Sequence, residues 1–551
     1  MTDGKPSKQF TWQHLAGLVI TAGLLWFVFR KIPFSSFWGT LKGTRPFWFV
    51  IAFSTYGLAL WFGACRWHMA LHLTHRALHL LASYRLFLVG HFLYCVLFGA
   101  VGGDFAKSAV YARWFRFELP EVVAAAPLDR VLGFGGTILY GVTAFLITYY
   151  NGGFSVLRQW QHRLPSGWIF VAGGLIAALI LSVIFWRPKG ESSLARAVRA
   201  FRSGSSRMVV TPSFIIPGTI FGILGQVGLT SVMALNLQAV THHHLPWGQM
   251  VWTFPAIMLA SAMPFTVAGA GAREMAALAF LGLYGVPAEE CLAASLLTLC
   301  HKLVWALVGG LIFWRNGAFY RRTKDQPLLQ SISVVLATLN DERAVAETIA
   351  MAKANPEVKE VIVADGGSGD RTRQVAAELG CAVITTPARR GAQWRAGAQQ
   401  ATGDVVLLLQ VNTLLSPYAG LAAINCLRDS YVVGGGFWKK YEHAPRLLFG
   451  ARILCALRLI FFRRVARDQA PFMRRSALEA VGGVPDVPIM EDFELCRRLR
   501  QKGHLALGDA LVVTSLRQFE EQSYSRTYWR ALVQRWKWRL GRSAREARET
   551  T

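Results

Sequence analysis

Hydrophobic positions follow two different patterns along the 551-residue chain. From Met1 to about Gln326, long apolar runs follow one another. From Ser331 the runs shorten to strand length and alternate with amphipathic helical stretches. Six early runs, at about 12–29, 46–65, 131–150, 168–186, 214–237 and 291–314, approach the ~20 residues a helix needs to cross hydrocarbon. Two more apolar stretches are broken: Tyr84 to Tyr111 by "FGAVGGDFAKSAV", and Val251 to Leu283 by "MPFTVAGAGAREMA". The first break carries Asp104 and Lys107, the second Arg273 and Glu274.

Backbone that leaves the helical ladder at membrane depth must be buried in protein or line a cavity. Paired interrupted segments point to a transport site, and ionisable groups inside a membrane are functional candidates. A plainer reading stands beside this one: the glycines permit close helix packing, and the charges sit at the interface. Charge sets the orientation. Arg187, Lys189, Arg196, Arg199, Arg202 and Arg207 share one short loop with Glu191 alone, which predicts a cytoplasmic loop. Arg315, Arg321, Arg322 and Lys324 predict a cytoplasmic exit for the last span. All these constraints are met if both broken stretches re-enter, the first from the cytoplasm and the second from outside.

Composition narrows the class. Hydrophobic residues make up 53% of the chain, with 19 Trp and a net charge of +27. In a chain with this many spans, that charge reads as basic loops facing anionic lipid, not as nucleic-acid binding. The first apolar run lacks a small-residue cleavage site and reads as a span. The eight cysteines form no CxxC pair and read as reduced thiols, mostly buried. His68, His72, His75 and His79 recur on one face if the helix continues, and His242, His243 and His244 form a run. A metal site and an interfacial helix face are both open readings of the first set.

"GGDFAKSAV", "LDRVLGF" and "GAGAREMAALAFLGLYGVPAEECLAASLL" resemble the lysylphosphatidylglycerol synthase transmembrane-region family, whose members are flippase-like. The resemblance spans most of residues 12–315. It implies a lipid headgroup path lined by Asp104, Arg130, Arg273 and Glu274, with Lys107 beside Asp104. The pattern after Ser331 is not that of the aminoacyl-transferase domain that often follows in that family, so lipid aminoacylation is not implied.

The second half reads "SISVVLATLN", helix, "EVIVADGGSGD", helix, "CAVITT", then "DVVLLLQVNT". Continuous apolar strands separated by amphipathic helices predict a doubly wound, mostly parallel sheet, whose ligands bind beyond the carboxyl ends of the strands. Thr338, Asn340, Asp341, Asp365, Gln410 and Asn412 all fall there. "SVVLATLNDE", "VIVADGGSGDRT", "GDVVLLLQVNT", "RDQAPFMRR" and "PIMEDFELCRRLRQKG" resemble glycosyltransferase family 2, of GT-A fold, over about 331–515. That resemblance implies a nucleotide-sugar donor held by Thr338, Asn340, Asp341 and Asp365. It makes Asp492 the general base, with Glu491 beside it, and sets Asp468 and Gln469 on the acceptor side. It also implies a divalent metal, Mg²⁺ or Mn²⁺, held by an acid where this chain has Asn412. An Asn carbonyl adds no charge, so the metal is weakly held there or the reaction is metal-independent. Arg395 stands where the family usually has Asn, and Arg389 and Arg390 lie just upstream; arginines can meet phosphoryl charge without a metal.

Arg446 to Arg464 and the tail from Tyr524, with Trp529, Trp536 and Trp538, mix apolar or aromatic residues with arginines. They predict interfacial contact or, equally for the tail, a solvated basic helix. The expected architecture is a polytopic helical membrane domain (1–326) with two re-entrant segments, then an α/β GT-A domain (327–551) on the cytoplasmic side of an inner membrane. The expected activity is sugar transfer to a lipid or polyprenyl-type acceptor. A lipid transporter with a weakly active or inactive nucleotide-sugar-binding domain is the alternative, and a membrane domain serving only as an anchor is another.

Overall fold

The computed structural model describes residues 34–74, 77–96, 100–152, 212–241, 247–261, 270–322, 328–441, 463–487 and 490–514, with a few isolated positions elsewhere. Two compact units divide the chain. One comprises Met1–Arg76 and Leu80–Arg322, the other Ala77–His79 and Thr323–Thr551.

The first unit is helical: α1 (Phe34–Lys42), α2 (Pro46–Leu73), α3 (Leu80–Val96), α4 (Ala100–Phe115), α5 (Leu119–Val123), α6 (Ala125–Tyr150), α7 (Pro212–Val240), α8 (Trp247–Met250), α9 (Thr253–Ser261), α10 (Ala272–Gly282) and α11 (Ala288–Arg322). Four of its stretches, Pro46–Leu73, Leu119–Tyr150, Ile215–Val240 and Ala288–Gly317, are long and apolar enough to cross a membrane. They fall on four of the six expected spans. The other two, 12–29 and 168–186, lie outside the described residues, as do the basic loop at 187–207 and His242–His244. α7 packs along α2 and α6, and α11 along α3. The close approach of α11 to α3 requires glycine, because a Cβ on Gly309 would stand 2.0 Å from the Leu88 carbonyl oxygen.

Among the described residues, each broken stretch contributes two separate helices. The first is α3 followed by α4. The second is α9 followed by α10, whose 9 and 11 residues are too short to cross ~30 Å at 1.5 Å per residue. The histidine face is not continuous. α2 stops at Leu73, where the Thr74 hydroxyl donates to the Leu71 carbonyl at 2.9 Å, and His79 lies beyond the helix in the segment before α3. The hydroxyl closes the last turn, so the period that aligned the four histidines ends before His79. His75 lies outside the described residues.

The second unit is an eight-stranded mixed sheet with helices on it. Its elements are β1 (Ile332–Thr338), α12 (Glu342–Lys353), β2 (Val358–Asp365), α13 (Thr372–Glu378), β3 (Ala382–Thr385), α14 (Arg390–Gln400), β4 (Val405–Gln410), β5 (Thr413–Leu415), α15 (Ala419–Leu427), β6 (Val432–Tyr441), β7 (Phe472–Arg474), α16 (Arg475–Glu479), α17 (Glu491–Leu499) and β8 (His504–Thr514). The spatial order is β3-β2-β1-β4-β7-β6-β8-β5. β3, β2, β1 and β4 run parallel, as their continuous apolar runs predict, and all seven residues of β1 are buried. The added half is mixed, with β7 antiparallel to both β4 and β6, β8 parallel to β6, and β5 antiparallel to β8. The apolar cores on the two faces of the sheet bury Val334, Leu336 and Val363 on one side and Val335, Ile362 and Trp394 on the other. All eight cysteines are free, four of them buried. The segment 446–464 is described only at isolated positions, and the tail lies outside the described residues.

Candidate functional site

In the second unit the site forms at the carboxyl ends of β1, β2 and β4. Parallel register brings Thr338 opposite Asp365. The Asp365 carboxylate is fully buried. It accepts from the Thr338 hydroxyl at 3.1 Å, from the Gly367 and Ser368 amides at 2.9 and 2.7 Å, and from the Ser368 hydroxyl. Those donors fold "DGGSGD" into a tight loop in which Gly367 takes φ +90°, a conformation open to glycine. Asn340, itself at φ 55°, clamps the loop from the other strand. Its amide donates to Ser368 Oγ at 2.9 Å and its side-chain oxygen accepts from the Gly369 amide at 2.9 Å. Asp341 is half-buried and accepts from the Leu339 amide at 3.0 Å. Burial, then the nearby charges of Asp370 and Asp365, push its carboxyl above the usual range.

α14 links this loop to the rest of the site. The Gln393 amide donates to the Thr338 carbonyl at 2.8 Å and the Ala364 carbonyl at 3.0 Å, tying the ends of β1 and β2 together. One turn earlier, Arg390 NH1 donates to Glu491 Oε1 at 3.1 Å. Gly391 lets the helix press against 485–487, since a Cβ there would stand 2.9 Å from the Pro485 carbonyl. Trp394, fully buried, anchors the same helix through Nε1 to the Leu409 carbonyl at 3.2 Å.

Asp492 lies in the first turn of α17, behind Met490 in left-handed backbone at φ 64°. The carboxylate is buried and accepts from the Arg467 amide at 3.0 Å and the Phe493 amide at 2.9 Å. Burial, and then the charge of Glu491, raise its pKa above the ordinary aspartate value, while the Arg467 charge opposes them. Arg467, exposed, faces the same group, and together with burial it lowers the pKa of Arg390. Arg390 and Arg467 are therefore within electrostatic reach of each other and of Asp492, beside Glu491. Beside them Asp468 pairs with buried Lys439, whose charge, against the effect of burial, holds the carboxyl below its usual range. The Gln469 amide is spent on the fold: it donates to the Phe437 carbonyl at 3.2 Å and accepts from the Ala466 amide at 3.0 Å.

The structure thus gathers Asp492, Glu491 and Arg390, and joins them through α14 to Thr338 and Asp365. It does not bring Arg395 to them, because that side chain lies on the exposed face of α14. Arg467, Gln393 and Lys439 belong to the site without having been singled out by sequence. Arg467 opens the quoted "RDQAPFMRR", which is a usable signal, whereas Gln393 and Lys439 carry none. At the end of β4, the buried Gln410 side-chain nitrogen has no hydrogen-bond partner, and Asn412 Oδ1 meets only the Thr413 hydroxyl at 3.5 Å. Among the described residues no group of three or more His, Cys, Asp or Glu side chains is placed to hold an ion. This donor set does not fit a tightly held divalent metal.

The five residues expected along a lipid path form two groups in the first unit. Asp104 accepts from Lys107 Nζ at 3.2 Å and from Arg130 NH2 at 2.7 Å. Arg273 and Glu274, 2% and 0% exposed, pair with each other at 2.5 Å. Ser295 bonds both, and Glu274 also accepts from the Gly271 amide at 2.6 Å. That buried pair clamps the start of α10.

Comparison with known proteins follows this division. The profile of the lysylphosphatidylglycerol synthase TM region matches residues 14–309, and that of glycosyl transferase family 2 matches residues 333–440. No curated protein matches the chain. Among solved structures, Staphylococcus aureus TarS 1–349 is 15% identical over 34% of this chain and 60% of its own, with a TM-score of 0.28. The same protein in complex with UDP is 17% identical over the same shares, with a TM-score of 0.28. Glucosyl-3-phosphoglycerate synthase from Mycobacterium tuberculosis, in complex with Mn²⁺, UDP and glucosyl-3-phosphoglycerate, is 21% identical over 34% of this chain and 70% of its own, with a TM-score of 0.27. The chain therefore belongs to the lysylphosphatidylglycerol synthase transmembrane-region family and carries a glycosyl transferase family 2 domain behind its membrane helices.

Proposed function

We propose that the chain transfers a sugar from a nucleoside-diphosphate donor to a lipid or polyprenyl-type acceptor, from the cytoplasmic side of an inner membrane. The buried Asp492, accepting from the Arg467 amide beside the Arg390–Glu491 pair, is the observation that carries this reading. An acceptor hydroxyl attacks the anomeric carbon, and the bond from that carbon to the diphosphate oxygen breaks with its electron pair. Asp492 takes the hydroxyl proton, and a raised pKa brings a carboxylate closer to that task. Arg390 and Arg467 face the charge that the departing diphosphate gains, and no step is routed through a metal. Asp365, saturated by donors, holds the donor loop in shape, leaving Asp341 to meet the nucleoside. The membrane helices present or move the lipid.

Full-length protein in lipid, offered labelled nucleotide sugars and a total lipid extract, is expected to place label in the organic phase. Asp492→Asn is expected to lower it by about 10²–10⁴-fold. Label formed equally by the variant would remove Asp492 from the reaction. A donor-binding domain with little turnover is the second reading, favoured by the missing acid at Asn412; bound donor without transfer would support it.

A further inference from the structure

Among the described residues of the second unit, Gln410 Nε2 and Asp468 Oδ1 are buried atoms without a hydrogen-bond partner, and they belong to one neighbourhood. Gln410 ends β4, and Asp468 lies in a short 3-10 turn, Arg467–Gln469. Antiparallel pairing sets Leu407 opposite Phe472, and the Leu408 amide donates to the Pro471 carbonyl at 2.8 Å. The chain before β7 therefore runs back along the end of β4, and the turn that holds Asp468 packs on that strand. On the other side of β4, parallel register puts Gln410 opposite Ala337, the residue before Thr338.

Side chains alternate along a strand, so Gln410 shares a face with Val406 and Leu408, whose core includes Trp394 of α14 and Leu495 of α17. The helices on that face bear Arg390 and Asp492. The two atoms do not bond each other. A buried N–H or carboxylate oxygen without a partner costs the free protein stability, and that cost is relieved by a ligand that supplies the missing bond.

The chemistry of the pair selects the group that fits it. Lys439 holds the other oxygen of Asp468, so the carboxylate is already balanced in charge. A diphosphate oxygen would be repelled by the free carboxylate oxygen, and a metal ion by the amide N–H. A hydroxyl serves both, because it accepts from the N–H and donates to the carboxylate. We infer that Gln410 and Asp468 recognise a hydroxyl of the sugar being transferred, the amide nitrogen donating to it and the carboxylate oxygen accepting from it. The place of Gln410 beside the end of β1, where Thr338 stands, puts that hydroxyl on the donor and not on the lipid. This deepens the proposed function and rests on it for the nucleotide-sugar donor. It makes Gln410 a residue that sets which sugar is accepted.

The test measures Kd by calorimetry for full-length protein in phosphatidylcholine nanodiscs, with no acceptor added. The probes are UDP-glucose, UDP-galactose and GDP-mannose, each compared with bare UDP or GDP. The parent is expected to bind at least one sugar nucleotide more tightly than its bare nucleotide. Gln410→Met keeps the side-chain length and removes the N–H. It is expected to weaken that sugar nucleotide by about three- to tenfold and to leave the bare nucleotide unchanged. The ligand-free variant is expected to melt at or above the parent's temperature, because an apolar group replaces an unbonded buried amide. A monodeoxy analogue lacking the recognised hydroxyl is expected to lose the same factor in the parent and nothing further in the variant. Equal weakening of bare and sugar nucleotides overturns the inference, as does a variant that binds the sugar nucleotide like the parent. A variant that binds every donor like the parent but has a raised KM for the lipid assigns the hydroxyl to the acceptor, which also overturns it. A parent that binds bare and sugar nucleotides alike overturns this inference alone; a parent that binds none of them overturns the proposed function with it.

Discussion

In the proposed reaction, Asp492 is the residue that takes the proton. Replacing it with Asn keeps size and one acceptor oxygen but removes the base, so transfer should fall by about 10²–10⁴-fold while donor binding survives; paired turnover and nucleotide-binding measurements check this. The carboxyl acts only when ionised, and burial raises its pKa above 3.8. Transfer should therefore rise with pH through that raised value, and this acid limb is expected to disappear from the residual activity of the Asn variant. The same group is expected to act on stability in the opposite sense. The folded state keeps the proton longer than the unfolded chain, so its stabilising contribution is complete below 3.8 and is lost as pH rises through the raised value. Glu494 is the converse case: hydrogen bonds from Arg497 and Arg498 hold it at about 2, against an ordinary 4.5. Its contribution is present above 4.5 and is lost as pH falls towards 2, so Glu494→Gln should flatten the acid limb of a melting-temperature profile between those values.

At the scale of elements, α14 organises the site by binding both of its halves. Gln393→Leu would leave the Thr338 and Ala364 carbonyls without their shared donor, a cost of about 1–3 kcal/mol. Because those carbonyls end the two donor-binding strands, KM for the donor should rise more than kcat falls. A purely structural role would lower melting temperature and leave that ratio unchanged. Gly309→Ala tests the membrane unit, since the added methyl meets backbone at 2.0 Å and α11 must move off α3. Overpacking of this kind costs about 1–3 kcal/mol, visible as a lower melting temperature in detergent.

The sequence shows plainly what repeats or punctuates. Four spans and the parallel strands β1, β2 and β4 lie where continuous apolar runs of the right length put them, because an apolar surrounding on every side leaves an unbroken hydrophobic signature. β7 has three residues and β5 three, pairing antiparallel across the sheet; strands that short carry no period, and their partners are distant in sequence. The places of Asp365 and Asp492 at a strand end and in a helix's first turn were legible from the turn residues beside them. Arg467 and Gln393 act through where tertiary packing points them, and Arg395 is turned away by the helical period that points Gln393 inward.

At the scale of the whole molecule, one chain carries a unit of long apolar helices and a glycosyl transferase family 2 domain with Asn412 beyond the end of β4. The most direct test is the rate of labelled-lipid formation by full-length protein in lipid, measured in EDTA and again with added Mn²⁺. The account predicts transfer in both conditions, with Arg390 and Arg467 meeting the leaving charge. Transfer that stops in EDTA and returns with Mn²⁺, or no transfer in either, would contradict it.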